Sequence, residues 1–264
     1  MSDGDALLAA IRAHPGEDTP RLAYADWLDE HGDPDRAAFI RVQVETGHLP
    51  DGDAGCAERE DVARRLLAAH RDAWLGPLRT LATNWTFVRG FPERLGVRHE
   101  MFLDHADEIF AAAPVRAVFF SRVKLTLVGR LADMPQLGCM EELHLWHDGL
   151  SERSAETLAS SPHLGGVRRL TLGSNRVLDC GARAVAESPH LTGLRELDLS
   201  NNRIGAEGAL ALAASAGLSR LEVLDLRENV VGAKGERALR ATFGSVVRLG
   251  WGGGDDEPAA GATM

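Results

Sequence analysis

The residues of this chain that could do chemistry are few and scattered. His144-Leu-Trp-His147-Asp148 offers two imidazoles and a carboxylate within five positions, the ingredients of a metal site. On a strand, positions i and i+3 point to opposite sides, so His144 and His147 diverge and no metal is expected. Asp26 beside Trp27 has the types used in acid–base catalysis, but Tyr24, Trp27 and Leu28 at i, i+3, i+4 read as one apolar helix face. Cys56, Cys139 and Cys180 are isolated and odd in number, with no CxxC or Cys/His ligand spacing, so neither a disulfide framework nor a zinc site follows. Cys180 sits at a turn beside Gly181 with nothing nearby to activate it. No Gly-rich phosphate loop, no Gly-x-Ser-x-Gly and no convergent carboxylate pair occurs. The expectation is a chain that is not an enzyme and needs no cofactor.

The organised signal is periodic. Leu143, Leu170, Leu197 and Leu224 recur at a step of 27, each followed two residues later by Leu145, Leu172, Leu199 and Leu226. Three positions further come Asp148, Asn175, Asn202 and Asn229. Leu158, Val185, Leu212 and Leu239 keep the same step, as do Leu137, Leu164, Leu191 and Leu218. The leucine pairs alternate with polar residues, the period of a strand with one buried face. Helices are expected between the strands at 151–160, 179–188, 206–215 and 233–242, with Gly181, Gly208 and Gly235 at one equivalent position and Ser154 in the first full unit. Further strands are expected at 93–97, 117–120 and 246–249, the second of them two residues out of the 27-step register. A fixed period with an L-x-L-x-x-N core is the signature of a leucine-rich repeat array. The unit LRELDLSNNRIGAEGALALAAS at 194–215 resembles the ribonuclease-inhibitor class of such repeats, in which a strand pairs with a full α-helix.

One strand-helix unit cannot bury its apolar side alone, so neighbours must stack. Strands lie about 4.8 Å apart and helices need about twice that, so the array should bend with its strands inside. An Asn at the turn can serve loop N–H and C=O groups at once, making Asn175, Asn202 and Asn229 a structural ladder; Asp148 lacks the amide donor and should give a looser turn. Residues between the inward leucines then face the concave side in columns: Phe119, His144, Thr171, Asp198, Asp225; Ser121, Trp146, Gly173, Ser200, Arg227; and Ala117, Glu142, Arg169, Glu196, Val223. Phe119, His144 and Trp146 gather at one end, while Glu196, Asp198 and Asp225 make the other acidic. Exposed aromatics on a rigid face dominate binding energy at interfaces, and an acidic face favours a basic partner. Phe119, His144, Trp146, Arg169, Thr171, Glu196, Asp198, Asp225 and Arg227 are therefore the expected partner-binding residues.

The first third reads differently. Leu7, Leu8 and Ile11 give one apolar helix face before His14-Pro15-Gly16, and Thr19-Pro20 and Asp33-Pro34 each place a capping oxygen before a proline. Further helices carry Ala37, Ile40 and Val44, then Val62, Leu66, Ala69 and Ala73, with a polar loop at 47–57 between. The run LLAAIRAHPGEDTPRLAYADWLDEHGDPDRAAFIRVQ at 7–43 resembles the repeat-companion domain that precedes repeat arrays in some bacteria, and FVRGFPERLGV at 87–97 resembles the junction that follows that domain. That resemblance covers most of residues 5–100 and implies no established chemistry.

The expected architecture is thus α/β: an all-helical companion domain over 1–92, a leucine-rich repeat solenoid with a curved parallel sheet over 93–250, and a disordered acidic tail over 251–264. The net charge of −10 is concentrated at the two ends, since residues 1–92 carry 16 acids against 10 bases and the tail adds three acids. No basic stripe suits a phosphate backbone, so nucleic acid is not an expected partner. The acidic start without a long apolar run suggests a cytoplasmic protein that does not engage a membrane. The functional expectation is a scaffold for a protein or peptide, its oligomeric state open. Two alternatives stay open: a regulator such as a GTPase activator, since the Ran GTPase-activating protein family resembles this array in its repeat, or an accessory subunit presenting substrate to a modifying enzyme.

Overall fold

The computed structural model describes residues 2–50, 53–147 and 149–250. They divide into two compact units, residues 2–145 with 162–167, and residues 146–161 with 168–250. The expected loose turn at Asp148 and the expected tail at 251–264 lie outside the described residues.

The first unit opens with helices α1 (Asp3–Ala13), α2 (Thr19–Glu30), α3 (Pro34–Gly47), α4 (Ala54–Leu75) and the short α5 (Leu78–Leu81). Asp33 caps α3, its carboxylate accepting the N–H of Arg36 ahead of Pro34 in the first turn. Thr19 does not cap α2; it is already the first helical residue. The side chain of Asp18, at the cap position, is instead held by Arg89 at 3.3 Å and His48 at 2.8 Å. Ile11, Ala25, Leu28, Ala37, Ile40 and Val44 bury one core with Phe91, and Leu8, Tyr24 and Trp27 pack against it.

The helices do not run to residue 92. Trp85-Thr-Phe-Val, rich in β-formers, makes strand β1 (Asn84–Val88), which turns at Arg89-Gly90 into antiparallel β2 (Phe91–Arg98). The turn is docked tightly: a Cβ on Gly90, at φ +90°, would lie 2.5 Å from Ile40 Cγ1, and the Gly90 N–H donates to Gln43 Oε1. Arg89 donates to the carbonyls of Pro15 and Gly16. Beneath it the wholly buried Arg21 donates to the carbonyls of Pro15 and Arg89 and pairs with Glu93 at 2.6 Å. Burial pushes the Glu93 carboxyl up, and Arg21, Arg89 and Arg116 pull it back. Among the described residues Arg36 meets no carboxylate; its guanidinium lies 4.6 Å from the Trp74 ring and faces Phe91, Phe87 and Phe39. Burial brings its pKa down to about 10.

Helix α6 (His99–Ala112) leads to β3 (Ala117–Ser121), and α7 (Val128–Ala132) to β4 (Glu142–His144). Strands β2, β3 and β4 run parallel, with Ala117 opposite Glu142 and Phe119 opposite His144. The step here is 25 rather than 27, which is the offset the leucine spacing implied. His99 is fully buried against the edge of Phe120, and its Nδ1 accepts the Lys124 N–H.

The second unit repeats one motif: α8 (Glu152–Ala159), β5 (Arg169–Thr171), α9 (Leu178–Glu187), β6 (Glu196–Asp198), α10 (Ala206–Ala213), β7 (Val223–Asp225), α11 (Gly232–Phe243) and β8 (Val247–Arg248). Strands β5 to β8 are parallel neighbours, with Leu170, Leu197 and Leu224 in register. Those leucines, their partners Leu172, Leu199 and Leu226, and Val185, Leu212 and Leu239 from the helices are all buried. The repeated glycines let the helices close up: a Cβ on Gly235 would lie 2.7 Å from Ala209 Cβ, and one on Gly181 2.9 Å from Ala155 Cβ.

Two polar ladders run through these units. At the strand turns, Asn202 Oδ1 accepts the Val177 N–H, and its Nδ2 donates to the carbonyls of Leu172 and Ser200. Asn229 serves Ile204, Leu199 and Leu226 in the same way, and Asn175 serves Leu150 and Leu172. At the helix ends, Ser188, Ser215 and Thr242 donate to the carbonyls of Ala159, Ala186 and Ala213 in the preceding unit, again at a step of 27. This second ladder was not read from the sequence, although the spacing of its hydroxyls was visible there.

Leu197→Ala should destabilise the chain by about 2–5 kcal/mol in a denaturant melt, because it empties buried volume at a central strand. A cost under about 0.5 kcal/mol would place Leu197 outside the core. Asn202→Ala should cost about 2 kcal/mol or more, since it strands buried N–H and C=O groups in neighbouring turns. Burial depresses the pKa of His99 below 6.5, so the folded chain holds it neutral while the unfolded chain takes up a proton. That contribution to stability is complete above pH 6.5 and is lost as pH falls through and below it. Between about pH 7.5 and pH 5.5, wild type should therefore lose more stability in urea titrations than His99→Asn; equal losses would remove His99 as the source.

Candidate functional site

A strand places alternate side chains on opposite faces, so each buried leucine leaves a residue pointing the other way. In the second unit these form a patterned surface. Arg169, Glu196 and Val223 stand in one row and Thr171, Asp198 and Asp225 in the next, each set in register across β5, β6 and β7. Gly173, Ser200 and Arg227 follow just beyond the strands. All but Gly173 and Asp225 are half-buried.

The charges on this face are mostly paired. Arg169 meets Glu196 at 2.5 Å, and Arg227 grips both carboxylate oxygens of Asp225, Oδ2 at 2.6 Å and Oδ1 at 3.1 Å. Asp225 also accepts the Arg227 N–H. The equivalent aspartate one strand earlier, Asp198, accepts the Ser200 N–H at 2.9 Å. Burial pushes its carboxyl pKa up, the Ser200 hydrogen bonds lower it, Asp225 raises it further, and Arg227 draws it down.

Trp146 belongs to the same unit and is 54% exposed, whereas most large apolar side chains are buried. Its indole lies over Gly173: a Cβ there would sit 2.7 Å from Trp146 Cδ1 and 2.9 Å from Ser200 Oγ. His147 packs edge-on against it with centroids 4.2 Å apart, and the His147 N–H donates to the Gly173 carbonyl. His147 is left-handed, with φ +61°, and so are Ser174, Asn201 and Glu228 at the same step. This turn geometry throws the chain off the strand face immediately before each Asn.

In the first unit, Phe119 and His144 stack with centroids 4.0 Å apart and planes 5° from parallel. Arg94 lies over the Phe119 ring, 5.6 Å from its centroid, and pairs with Glu142 at 2.8 Å. Glu142 also meets His144 Nε2 at 3.2 Å. Phe119 and His144 are thus half-buried in a stack rather than bare. The role of Arg94 was missed from sequence because β2 lies before the periodic region and was assigned no column.

Among the described residues, no group of three or more His, Cys, Asp or Glu could hold a metal ion, and no helix is long and apolar enough to cross a membrane. Cys139 and Cys180 are exposed free thiols and Cys56 is half-buried.

No curated protein matches the chain. A model of the leucine-rich repeat family matches residues 190–213, which take in β6 and α10 together with Leu191, Leu197, Leu199 and Asn202. The chain therefore carries a leucine-rich repeat, a kind of unit that generally mediates binding between proteins.

Proposed function

We propose that this protein is a non-catalytic scaffold that holds a protein or peptide on the strand face of a leucine-rich repeat solenoid. A companion domain of helices, closed by the β1–β2 hairpin, precedes the solenoid. The observation that carries the reading is Trp146. An exposed indole costs solvation, and this one contributes little to its own core, yet it lies over the bare backbone of Gly173 with His147 packed edge-on against it. A large aromatic left in water on a strand face is the residue type that anchors interfaces at low entropic cost. Arg169, Thr171, Glu196, Asp198, Asp225 and Arg227 supply the polar surround in the same unit. Phe119 and His144 present a second surface in the first unit. The cross-strand pairs among these residues fix side-chain positions in advance, which lowers the ordering cost of association.

Trp146→Ala should leave the unfolding free energy from a denaturant melt within about 0.5 kcal/mol of wild type, because the indole is not core. It should weaken the partner, identified by pull-down and titrated by calorimetry, by about 2 kcal/mol or more. Lys234→Ala, on the exposed side of α11, is the matched control and should bind as wild type does. Unchanged affinity for Trp146→Ala would overturn the assignment of the strand face as the recognition surface.

A further inference from the structure

We propose that the strand face of the second unit takes an extended cationic protein segment, one lysine or arginine of which reaches Asp198 while its stem and neighbours cover Trp146. This rests on the strand face being the recognition surface and adds the chemistry of what it recognises.

The charge pattern supplies the argument. Of the five charged side chains on β5, β6 and β7 or just beyond them on this face, Arg169 is neutralised by Glu196 and Arg227 by Asp225. Asp198 stands between those pairs and has no cation at ion-pair distance among the described residues; Ser200 alone hydrogen-bonds it. A half-buried carboxylate without a counter-ion bears a desolvation cost that an incoming cation removes. Its surroundings suit an ammonium or guanidinium on an aliphatic stem. Ser200 Oγ and the Trp146 indole converge over the bare backbone of Gly173, so the carboxylate, the hydroxyl and the aromatic surface form one continuous strip. The indole can cover the methylenes or take the cation on its face. Three carboxylates against two guanidiniums on this face repel phosphate and other anions, which disfavours nucleic acid and anionic lipid as occupants.

The test selects a random dodecamer peptide library on the full chain and then titrates synthetic copies of the enriched peptides. The enriched sequences should carry Lys or Arg. Replacing that residue by Gln should weaken binding to wild type about tenfold or more, the coupling expected of a close charge pair. On Asp198→Asn, which keeps an acceptor for the Ser200 N–H, the Lys and Gln peptides should bind alike, and Trp146→Ala should weaken both. Asp198→Ser serves as the second neutral variant should Asp198→Asn melt early. If peptides lose affinity on Trp146→Ala but the Lys-to-Gln change costs the same on wild type and Asp198→Asn, the cationic inference is wrong and the recognition face stands. If they bind Trp146→Ala as tightly as wild type, the recognition face itself is wrong. Enrichment of neutral or acidic peptides, or of none, also overturns the inference.

Discussion

Everything on the strand face depends on how the chain leaves each strand without stranding its backbone polar groups. The strands are three residues or fewer in the second unit, so most of each repeat is turn and helix terminus, where N–H and C=O groups lack ladder partners. A buried asparagine resolves this because its amide accepts and donates at once. The Leu172 carbonyl receives both Asn175 and Asn202, and Asn229 Oδ1 receives the N–H groups of Asn202 and Ile204. Each turn is therefore completed by its neighbour's side chain. This fixes strand register across units, and with it the rows in which Arg169 meets Glu196 and Thr171, Asp198 and Asp225 align.

The first unit meets the same requirement by irregular means. Arg21 and Arg89 tie the α1–α2 loop to the β1–β2 turn through three carbonyls, with Glu93 balancing the buried charge. Removing one partner of such a pair leaves the other uncompensated, so the charges specify how the hairpin docks rather than simply adding stability. Arg36, caged by four aromatic rings, shows the other way to bury a guanidinium, with π-faces standing in for a carboxylate. The Arg-Gly-Phe step at 89–91 is thus a junction in a physical sense. Arg89 clamps a loop, Gly90 permits contact with α3, and Phe91 enters the helical core.

The repeated strands and helices were legible because their side chains are spaced by the same geometry that stacks the units. Leu197 and Leu224 are interchangeable, so one reading serves for all. The β1 strand was not legible for the opposite reason: Asn84–Val88 occurs once, follows a long run of helix formers, and is a strand only because β2 pairs with it. The left-handed positions were hidden because His147, Ser174, Asn201 and Glu228 share no chemistry; the backbone demands the conformation and the side chains merely tolerate it. The different fates of Asp198 and Asp225 were equally invisible. The two are identical in type and column, and Arg227 two residues after Asp225, against Ser200 after Asp198, separates a neutralised carboxylate from one that meets no cation among the described residues.

Gly173 shows how far the meaning of a residue depends on its neighbour. Within the column of Trp146, Ser200 and Arg227 it looks like a position from which the repeat asks nothing. In the structure its missing side chain is what gives the indole a seat, since even a methyl group would collide with the ring. An alanine at that position would push Trp146 off the face or close the gap to Ser200, while the core leucines on the other side of the sheet would register no change. The buried core and the proposed recognition surface thereby lie on opposite sides of one sheet: the leucine side fixes where each strand lies, and the opposite side is free to vary one residue at a time. An array built this way can change the chemistry of its strand face without changing how it folds.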